Sequence, residues 1–146
     1  MATLLDSEGQ AAILDRLGRV TPEHRAKWGR FTAHQMLCHV GDQLAVSTGD
    51  IRCAAQDTWL YRLIGKWLVI RSPLKPAPGK IQTAPEMLST SPSDWSADLA
   101  RCRELVTRVG SGGGKGVHPA FGALSPRDWA RLGWKHLDHH LRQFGE

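Results

Sequence analysis

The sequence predicts an all-helical fold, a four-helix bundle formed by one domain over residues 1–146, and three observations lead to this prediction. The length lies in the usual range for a domain that buries its own core. The 41% of hydrophobic and 23% of charged residues are typical of a globular protein. Apolar residues recur at helical spacing, and no segment shows the strict alternation that indicates a strand.

The first two helices are predicted from residues that favour helix ends. Ser7 with Gln10 begins a first helix that runs to about residue 19. Thr32 with Gln35 has the pattern of a capping box and begins a second helix that runs to about residue 48. A glycine follows the second helix, as is common where a helix ends.

The last two helices share one start pattern. In both Ser91–Asp94 and Ser125–Asp128 the serine can cap the helix, and the proline after it fits the first helical position. The two helices are therefore predicted to begin at these serines and to run to about residues 109 and 143. Gly110 and Gly145 stand just beyond them.

The sequence predicts a long crossover between the second helix, which ends near residue 48, and the helix that starts near Pro92. It carries an extra short helix over about 57–70 and an irregular stretch over 72–92 that contains five prolines. About forty residues can travel the length of a bundle and start the next helix parallel to the previous one. The sequence therefore predicts an up-down-down-up course. Trp59 and Trp67 are expected to cover the core, with a subunit contact as the alternative.

Composition excludes several classes of function. The net charge of +5 is spread along the chain without a basic run, which argues against a nucleic-acid partner. The longest apolar region, about 59–70, is interrupted by Arg62 and Lys66 and is too short to span a membrane. Three cysteines without a secretion signal indicate reduced thiols, so a cytoplasmic location is expected.

The last predicted helix carries histidines on the face that should pack into the core. With His136 at 0° on a helical wheel, Trp129 falls near 20° and His140 near 40°, at about 100° per residue. Histidines at this spacing can share one metal ion, whereas hydrogen bonds to core groups are the competing interpretation. His139 is close enough on the wheel to be an alternative ligand. Leu137 stands where a metalloprotease motif would have Glu.

A third ligand must come from another helix, because two histidines leave a metal site incomplete. The apolar stripe of the second helix places His34 toward solvent and His39 at the border of the stripe. His39 is therefore favoured, although a histidine at such a border is often a surface residue. Cys38 points about 100° away from His39, which favours a packed, inert thiol over a ligand.

Several motifs are spread over nearly the whole chain: Trp28-Gly29, Thr32–His39, His118–Gly122, Trp129 and His136–Phe144. In these motifs the chain resembles the DinB-like (YfiT-like) superfamily, and more closely one of its uncharacterised branches, a domain of unknown function. The most specific part is a Met-Leu-x-His element paired with a terminal His-x-x-His-His-Leu-x-Gln. Members of that superfamily are up-down-down-up four-helix bundles with a three-histidine metal site. The resemblance therefore implies His39, His136 and His140 as the ligands.

The resemblance also implies the function classes to consider, since some relatives are thiol-dependent transferases or isomerases. Three neutral imidazoles suit zinc or nickel, with iron or manganese as alternatives, and leave positions for water or substrate. We expect a metal-dependent enzyme of small molecules, either a transferase using a low-molecular-weight thiol or a hydrolase; a homodimer is left open. The alternative is a non-catalytic metal-binding protein, such as a stress-linked or ligand-sensing bundle.

Supporting roles near the metal are predicted for a few other residues. Three are candidates for a contact with the ligands or with substrate: His118, Gln43 and His139. His118, before Pro119, has a purely structural turn as its alternative role. Asp42 and Asp138 are open as partners of the histidines or as a general base. Gly133, one turn before His136, either leaves room beside the ion or permits close helix packing.

Overall fold

Four long helices dominate the computed structural model, which describes residues 2–55, 59, 64–72 and 85–146. The helices are α1 (Ser7–Arg19), α2 (Ala33–Thr48), α3 (Trp95–Arg108) and α4 (Pro126–Gln143). A short antiparallel hairpin of β1 (Val117–His118) and β2 (Gly122–Ala123) precedes α4. The prediction of an all-helical bundle is therefore confirmed.

Paired contacts show the direction in which the helices run. Between α2 and α3 the contacting residues advance together, in the pairs His34–Asp98 and Asp42–Arg101. Between α1 and α4 they also advance together, in the pairs Gly9–Trp134 and Arg16–Asp138. Between α2 and α4 the order is reversed, in the pairs His39–His136 and Leu44–Gly133. Since α1 and α4 point one way and α2 and α3 the other, the course is the predicted up-down-down-up.

The caps of α2 and α4 fix where the two histidine-bearing helices begin. The Thr32 hydroxyl accepts a hydrogen bond from the Gln35 amide, and the Gln35 side chain accepts one from the Thr32 amide. These two bonds form the predicted capping box. At the start of α4 the Ser125 hydroxyl accepts from the amide of Asp128, and Pro126 occupies the first turn.

The start predicted for α3 is wrong, whereas its predicted end near residue 109 is confirmed. Asp94, and not Ser91, caps the helix, because its carboxylate accepts the amide of Ala97 at 2.7 Å. An aspartate and a serine compete here for the same role, and the cap that is used starts the helix later. At its other end α3 continues into a π-helical turn, Val109–Gly113, in which Gly112 has the left-handed φ of 83° that a glycine tolerates.

The crossover between α2 and α3 is described only in part. Of the predicted short helix over about 57–70, residues 57, 58 and 60–63 lie outside the described residues, and the described part contains a π-helix, Trp67–Arg71. Within the stretch predicted as irregular, residues 73–84 lie outside the described residues. A 3-10 helix, Pro85–Leu88, follows them.

The π-helix of the crossover is attached to α4 by Lys135. The Lys135 ammonium group donates hydrogen bonds to the carbonyl oxygens of Val69 at 2.6 Å and Ser72 at 2.7 Å. Trp59 and Trp67 are 73% and 61% exposed, so the prediction that they cover the core is wrong. Their role as a subunit contact stays a prediction.

The core consists of two apolar clusters. The larger one joins all four long helices and includes Ile13, Leu37, Val106 and Leu141. The smaller one packs Met87 of the 3-10 helix among side chains of α4 and of the hairpin. No helix within the described part of the chain is long and apolar enough to cross a membrane.

Candidate metal centre

Three histidines meet between α2 and α4. His39 lies on α2, and His136 and His140 lie one turn apart on α4. The ring centroids are 4.8 Å apart for His39 and His136, 4.9 Å for His39 and His140, and 4.6 Å for His136 and His140. One nitrogen of each ring lies within 4.8 Å of the other two. The structure therefore brings together the three histidines that the sequence predicted.

The histidine group lies at the edge of the core and not on the open surface. His39 and His140 are 3% and 8% exposed, whereas His136 is partly exposed. Phe31, which precedes α2, contacts the rings of both His39 and His140, at centroid distances of 5.2 Å and 6.0 Å. The group is thus shielded by an aromatic ring on one side and reaches solvent at His136.

The orientation of His39 is set by a backbone carbonyl of the crossover. Nδ1 of His39 lies 2.9 Å from the carbonyl oxygen of Met87. Because a carbonyl oxygen only accepts, Nδ1 carries the proton and donates, and Nε2 presents its lone pair to the group. A histidine that binds metal is commonly held by such a bond from its second ring nitrogen.

The orientation of His140 is set by Gln143 in the same way. Nδ1 of His140 lies 2.8 Å from Oε1 of Gln143, and Nε2 of Gln143 donates to the carbonyl oxygen of Trp28 at 2.6 Å. The carbonyl oxygen of Trp28 can only accept, so it must face Nε2 of the Gln143 amide. Oε1 of Gln143 must therefore accept from His140. Nε2 of His140 is therefore also left with its lone pair.

The contact between Gln143 and the Trp28 carbonyl explains why a glycine follows Trp28. Gly29 has a φ of 81°, and a Cβ atom built on it would lie 2.5 Å from Nε2 of Gln143. A side chain at this position would be strained and would displace the Gln143 amide. The glycine therefore lets the loop before α2 approach the residue that orients His140.

His39 and His136 contact each other directly through their Nε2 atoms. Their Nε2 atoms are 3.1 Å apart, and the lone pair of His39 faces His136. Two imidazole nitrogens at this distance need a proton or a metal ion between them. Nδ1 of His136 is buried without a hydrogen-bond partner among the described residues, so the structure leaves a polar atom of the group unsatisfied.

Burial keeps these imidazoles in the neutral form that binds metal. It lowers the pKa of His39, against the opposing effects of the Met87 carbonyl and the Asp42 charge. Burial, and then the neighbouring His39, lower the pKa of His140 to about 3. Burial and the neighbouring histidines also lower the pKa of His136 well below its ordinary value. The donor set of three neutral imidazoles therefore fits a divalent transition metal.

Comparison with known proteins gives a family but no activity. Over residues 6–146 the sequence matches the family model described as "Protein of unknown function (DUF1569)". The chain belongs to this family. No curated protein and no solved structure gives a significant match to it. The predicted placement in an uncharacterised family is confirmed, and the wider DinB-like relationship stays a prediction.

In this DUF1569 protein the residues predicted to support the histidines have different surroundings. Gln43, one turn after His39, is 3% exposed, and neither its Nε2 nor its Oε1 has a partner among the described residues. His139 lies against Trp28 at a centroid distance of 6.0 Å and is not part of the three-histidine group. Of these two residues, Gln43 is the one whose buried polar atoms have no partner in the described structure.

His118 holds the turn of the hairpin before α4. Its Nδ1 accepts hydrogen bonds from the amides of Ala120 at 3.1 Å and Phe121 at 3.2 Å, and its ring stacks on Phe121. Burial lowers the pKa of His118 to about 4. His118 also contributes to the lowered pKa of His136, after burial and the other histidines. It therefore has the structural role that the sequence left open.

The two aspartates considered as partners of the histidines bind other groups. The buried carboxylate of Asp42 accepts from the Thr90 amide at 2.8 Å and from Arg101 at 3.1 Å. Asp138 pairs with Arg16 and Arg142. Neither makes a hydrogen bond to a histidine in the described structure, and a role as general base stays a prediction. The two carboxylates are bound instead by Thr90, Arg101, Arg16 and Arg142.

Packing between the elements decides the open alternative for Gly133 and corrects the prediction for His34. A Cβ atom built on Gly133 would lie 3.1 Å from Leu4 and 3.4 Å from Leu44, so this glycine permits close packing and does not leave room beside an ion. His34, predicted to face solvent, is only partly exposed and lies 2.7 Å from a carboxylate oxygen of Asp98 on α3. Its partner Asp98 belongs to α3, and a helical wheel of α2 does not include residues of other helices.

Sequence reasoning missed the groups that orient the ligands. The Met87 carbonyl has no signature in the sequence, because any residue supplies a backbone oxygen. Phe31 and the Trp28 carbonyl lie in the loop before α2, where no periodic pattern exists. Gln143 had a signal: it stands three residues after His140 in the terminal motif, within reach of the same face of the helix.

Proposed function

We propose that this DUF1569 protein binds one divalent metal ion through His39, His136 and His140 and is an enzyme of small-molecule chemistry. The observation that carries the proposal is the convergence of three imidazole nitrogens, one from each ring, within 4.8 Å of one another. The Nδ1 bonds of His39 and His140 to oxygen acceptors support it, because they turn the Nε2 atoms toward one another. Membership of the DinB-like superfamily is part of this proposal.

Zinc or nickel is the proposed metal, with iron or manganese as alternatives, and when bound it would supply Lewis acidity to a substrate oxygen or sulfur atom. The chain's own contribution is to hold and orient the ligands. Phe31 shields His39 and His140 from water, and the two Nδ1 bonds fix the planes of these rings. Rings held in this way need little rearrangement when the ion binds.

Substrate would reach the ion beside His136, which is the partly exposed member of the group. The group contains three residues among those described, which is the number of protein ligands typical of catalytic zinc sites and leaves a position for substrate. The amide of Gln43 is a candidate to bind a polar group of substrate, since both of its polar atoms are buried and unpartnered in the described structure. We propose a low-molecular-weight thiol as the co-substrate of a transferase, or water as that of a hydrolase.

Metal analysis and activity assays together test this proposal. The full chain is purified without an affinity tag, and its metal content is measured before and after treatment with chelator. Metal-free and reloaded protein are then compared in a screen of small electrophiles with several thiols and in ester hydrolysis. Turnover that requires the metal supports the proposal that the protein is an enzyme. Bound metal without turnover favours the non-catalytic alternative, and a chain that takes up no zinc contradicts the proposal.

A further inference from the structure

A second group of metal-binding side chains lies between α2 and α3. His34 and Cys38 stand one turn apart on α2, and Asp98 lies in the first turn of α3. One ligand atom of each lies within 4.8 Å of the other two. Of the described residues, only this trio and the three-histidine group form such clusters.

A single carboxylate oxygen is the centre of this trio. Oδ2 of Asp98 lies 2.7 Å from Nε2 of His34 and 3.6 Å from Sγ of Cys38, and it also accepts from the Ser93 amide at 3.5 Å. In a tetrahedral zinc site, neighbouring nitrogen and oxygen ligands are about 3.3 Å apart for bonds of about 2 Å. A small outward movement of the His34 ring would therefore admit an ion.

The exposure of the trio suits a site that is filled from solvent. Cys38 is 2% exposed and lies at the base. The side chains of His34 and Asp98 are 19% and 12% exposed and form the rim. The ring of Trp95 stands edge-on to His34 at 5.3 Å and limits its rotation. Water can therefore reach the rim and supply a further ligand.

We propose that His34, Cys38 and Asp98 form a second site for a divalent cation that favours sulfur and nitrogen ligands, such as zinc or cobalt. The site is separate from the three-histidine group, since His39 projects about 100° away from Cys38 around α2. Burial alone would raise the pKa of Asp98, but the bonds from His34, Ser93 and Cys38 hold it below its ordinary value, so the trio contains a carboxylate.

The thiol is the ligand that distinguishes this site. In the metal-free chain the Cys38 thiol donates to Oδ2 of Asp98 at 3.6 Å. A cation that coordinates the sulfur displaces this proton to solvent. The bound ion would then connect the starts of two parallel helices that are otherwise linked here by the His34–Asp98 pair.

Cobalt spectroscopy tests the second site, because a cobalt–thiolate bond gives a near-ultraviolet charge-transfer band that histidine ligands alone do not give. The full chain carries Cys53→Ser, which removes the partly exposed thiol, and is titrated with Co²⁺. We expect two ions per chain and the thiolate band with one of them. Cys38→Ser should lose the band and one ion, as should Asp98→Asn, whereas Cys102→Ser, at the other buried thiol, should retain both.

The two sites can be separated in the same experiment. His136→Ala combined with His140→Ala should lose the other ion and keep the thiolate band, so the failure of one site is distinguishable from that of the other. Circular dichroism of each variant establishes that it is folded. A parent chain without the band, or a folded Cys38→Ser chain that retains it, overturns the proposal.

Discussion

Nδ1 of His140 donates to Oε1 of Gln143 at 2.8 Å, and the amide nitrogen of the same glutamine donates to the carbonyl oxygen of Trp28 at 2.6 Å. One side chain therefore connects His140, a member of the three-histidine group on α4, to the loop before α2. Support of this kind fixes both the tautomer and the plane of a coordinating imidazole. The histidine group depends on contacts outside the two helices that carry it.

Gln143→Leu should weaken metal binding without unfolding the chain. The leucine fills a similar volume but removes the acceptor for His140, and loss of such a partner costs about 10- to 100-fold in metal affinity. Competition with a chromophoric chelator measures this change. Gln10→Leu on α1 is the control, because the Gln10 amide donates to the Leu4 carbonyl and makes no hydrogen bond to a histidine in the described structure. Equal affinities of the Gln143→Leu and parent chains would show that the bond has no such role.

His136→Ala and His140→Ala should each reduce the metal content by one ion per chain. Two imidazoles cannot hold a transition metal as tightly as three, so the remaining ligands release it during dialysis against chelator. His24→Ala is the matched control, since His24 contacts Thr21 and lies outside the group. The assignment is wrong if either α4 variant retains the metal content of the parent.

Gly29→Ala should lower both stability and metal affinity. A residue with a Cβ loses about 1 to 2 kcal/mol of folding stability at a left-handed φ. The Cβ of the alanine would also displace the Gln143 amide. Gly112→Ala has a similar φ of 83° and nothing within 4 Å of the added carbon. Urea denaturation should therefore show a loss of stability for both variants, whereas only Gly29→Ala should bind metal more weakly. A change of affinity in both would contradict this account.

Removal of the metal should lower the melting temperature while the helices remain. An ion at 1,000 times its dissociation constant stabilises the folded chain by about 4 kcal/mol. The large apolar cluster joins all four helices without using the histidines, so the bundle keeps a core of its own. Circular dichroism with and without chelator is the measurement. Complete loss of the helical signal in chelator would mean that the metal, and not the core, holds the fold together.

Acid should destabilise the metal-free chain partly through His118. Burial lowers the pKa of this histidine from 6.5 to about 4, so between these values the unfolded chain binds a proton that the folded chain does not. Its contribution to stability is complete above the unfolded pKa and is lost as the pH falls toward the folded pKa. From about pH 7 to about pH 5 the loss is about 2 kcal/mol.

His118→Gln tests this contribution, because the glutamine can still accept the two amides of the turn but does not titrate. Urea denaturation at both pH values, in the presence of chelator, should show a smaller difference for the variant than for the parent. An unchanged difference would assign the acid sensitivity to other groups. The comparison uses each chain as its own reference, so a constant loss of stability in the variant does not affect it.

The sequence predicted the bundle and the pair of histidines on α4 because both depend on local patterns, whereas the choice of His39 depended on the family resemblance. The caps at Thr32 and Ser125 set the phase of α2 and α4, and the spacing of His136 and His140 then places both rings on one face. The same reasoning could not show what the histidines contact across the bundle. The Met87 carbonyl lies 48 residues from His39 along the chain, and its position depends on the tertiary course of the crossover.

For Asp42 and His34 the fold supplies partners that the sequence did not indicate. Asp42 was a candidate partner for a histidine, but Thr90 and Arg101 reach its carboxylate in the fold. His34 seemed to face solvent on the wheel of α2, and Asp98 of α3 covers it. In each case the decisive neighbour lies on another element, which a helical wheel of one segment does not include.

His39 and His136 enclose a long stretch of the chain between them. His39 and His136 are 97 positions apart, and the whole crossover, α3 and the hairpin lie between them. An ion shared by both would close this stretch into a ring. A protease that cut one peptide bond between α2 and α3 would then produce two fragments that stay associated through the ion, and chelator would reduce their association to the packing of the helices alone.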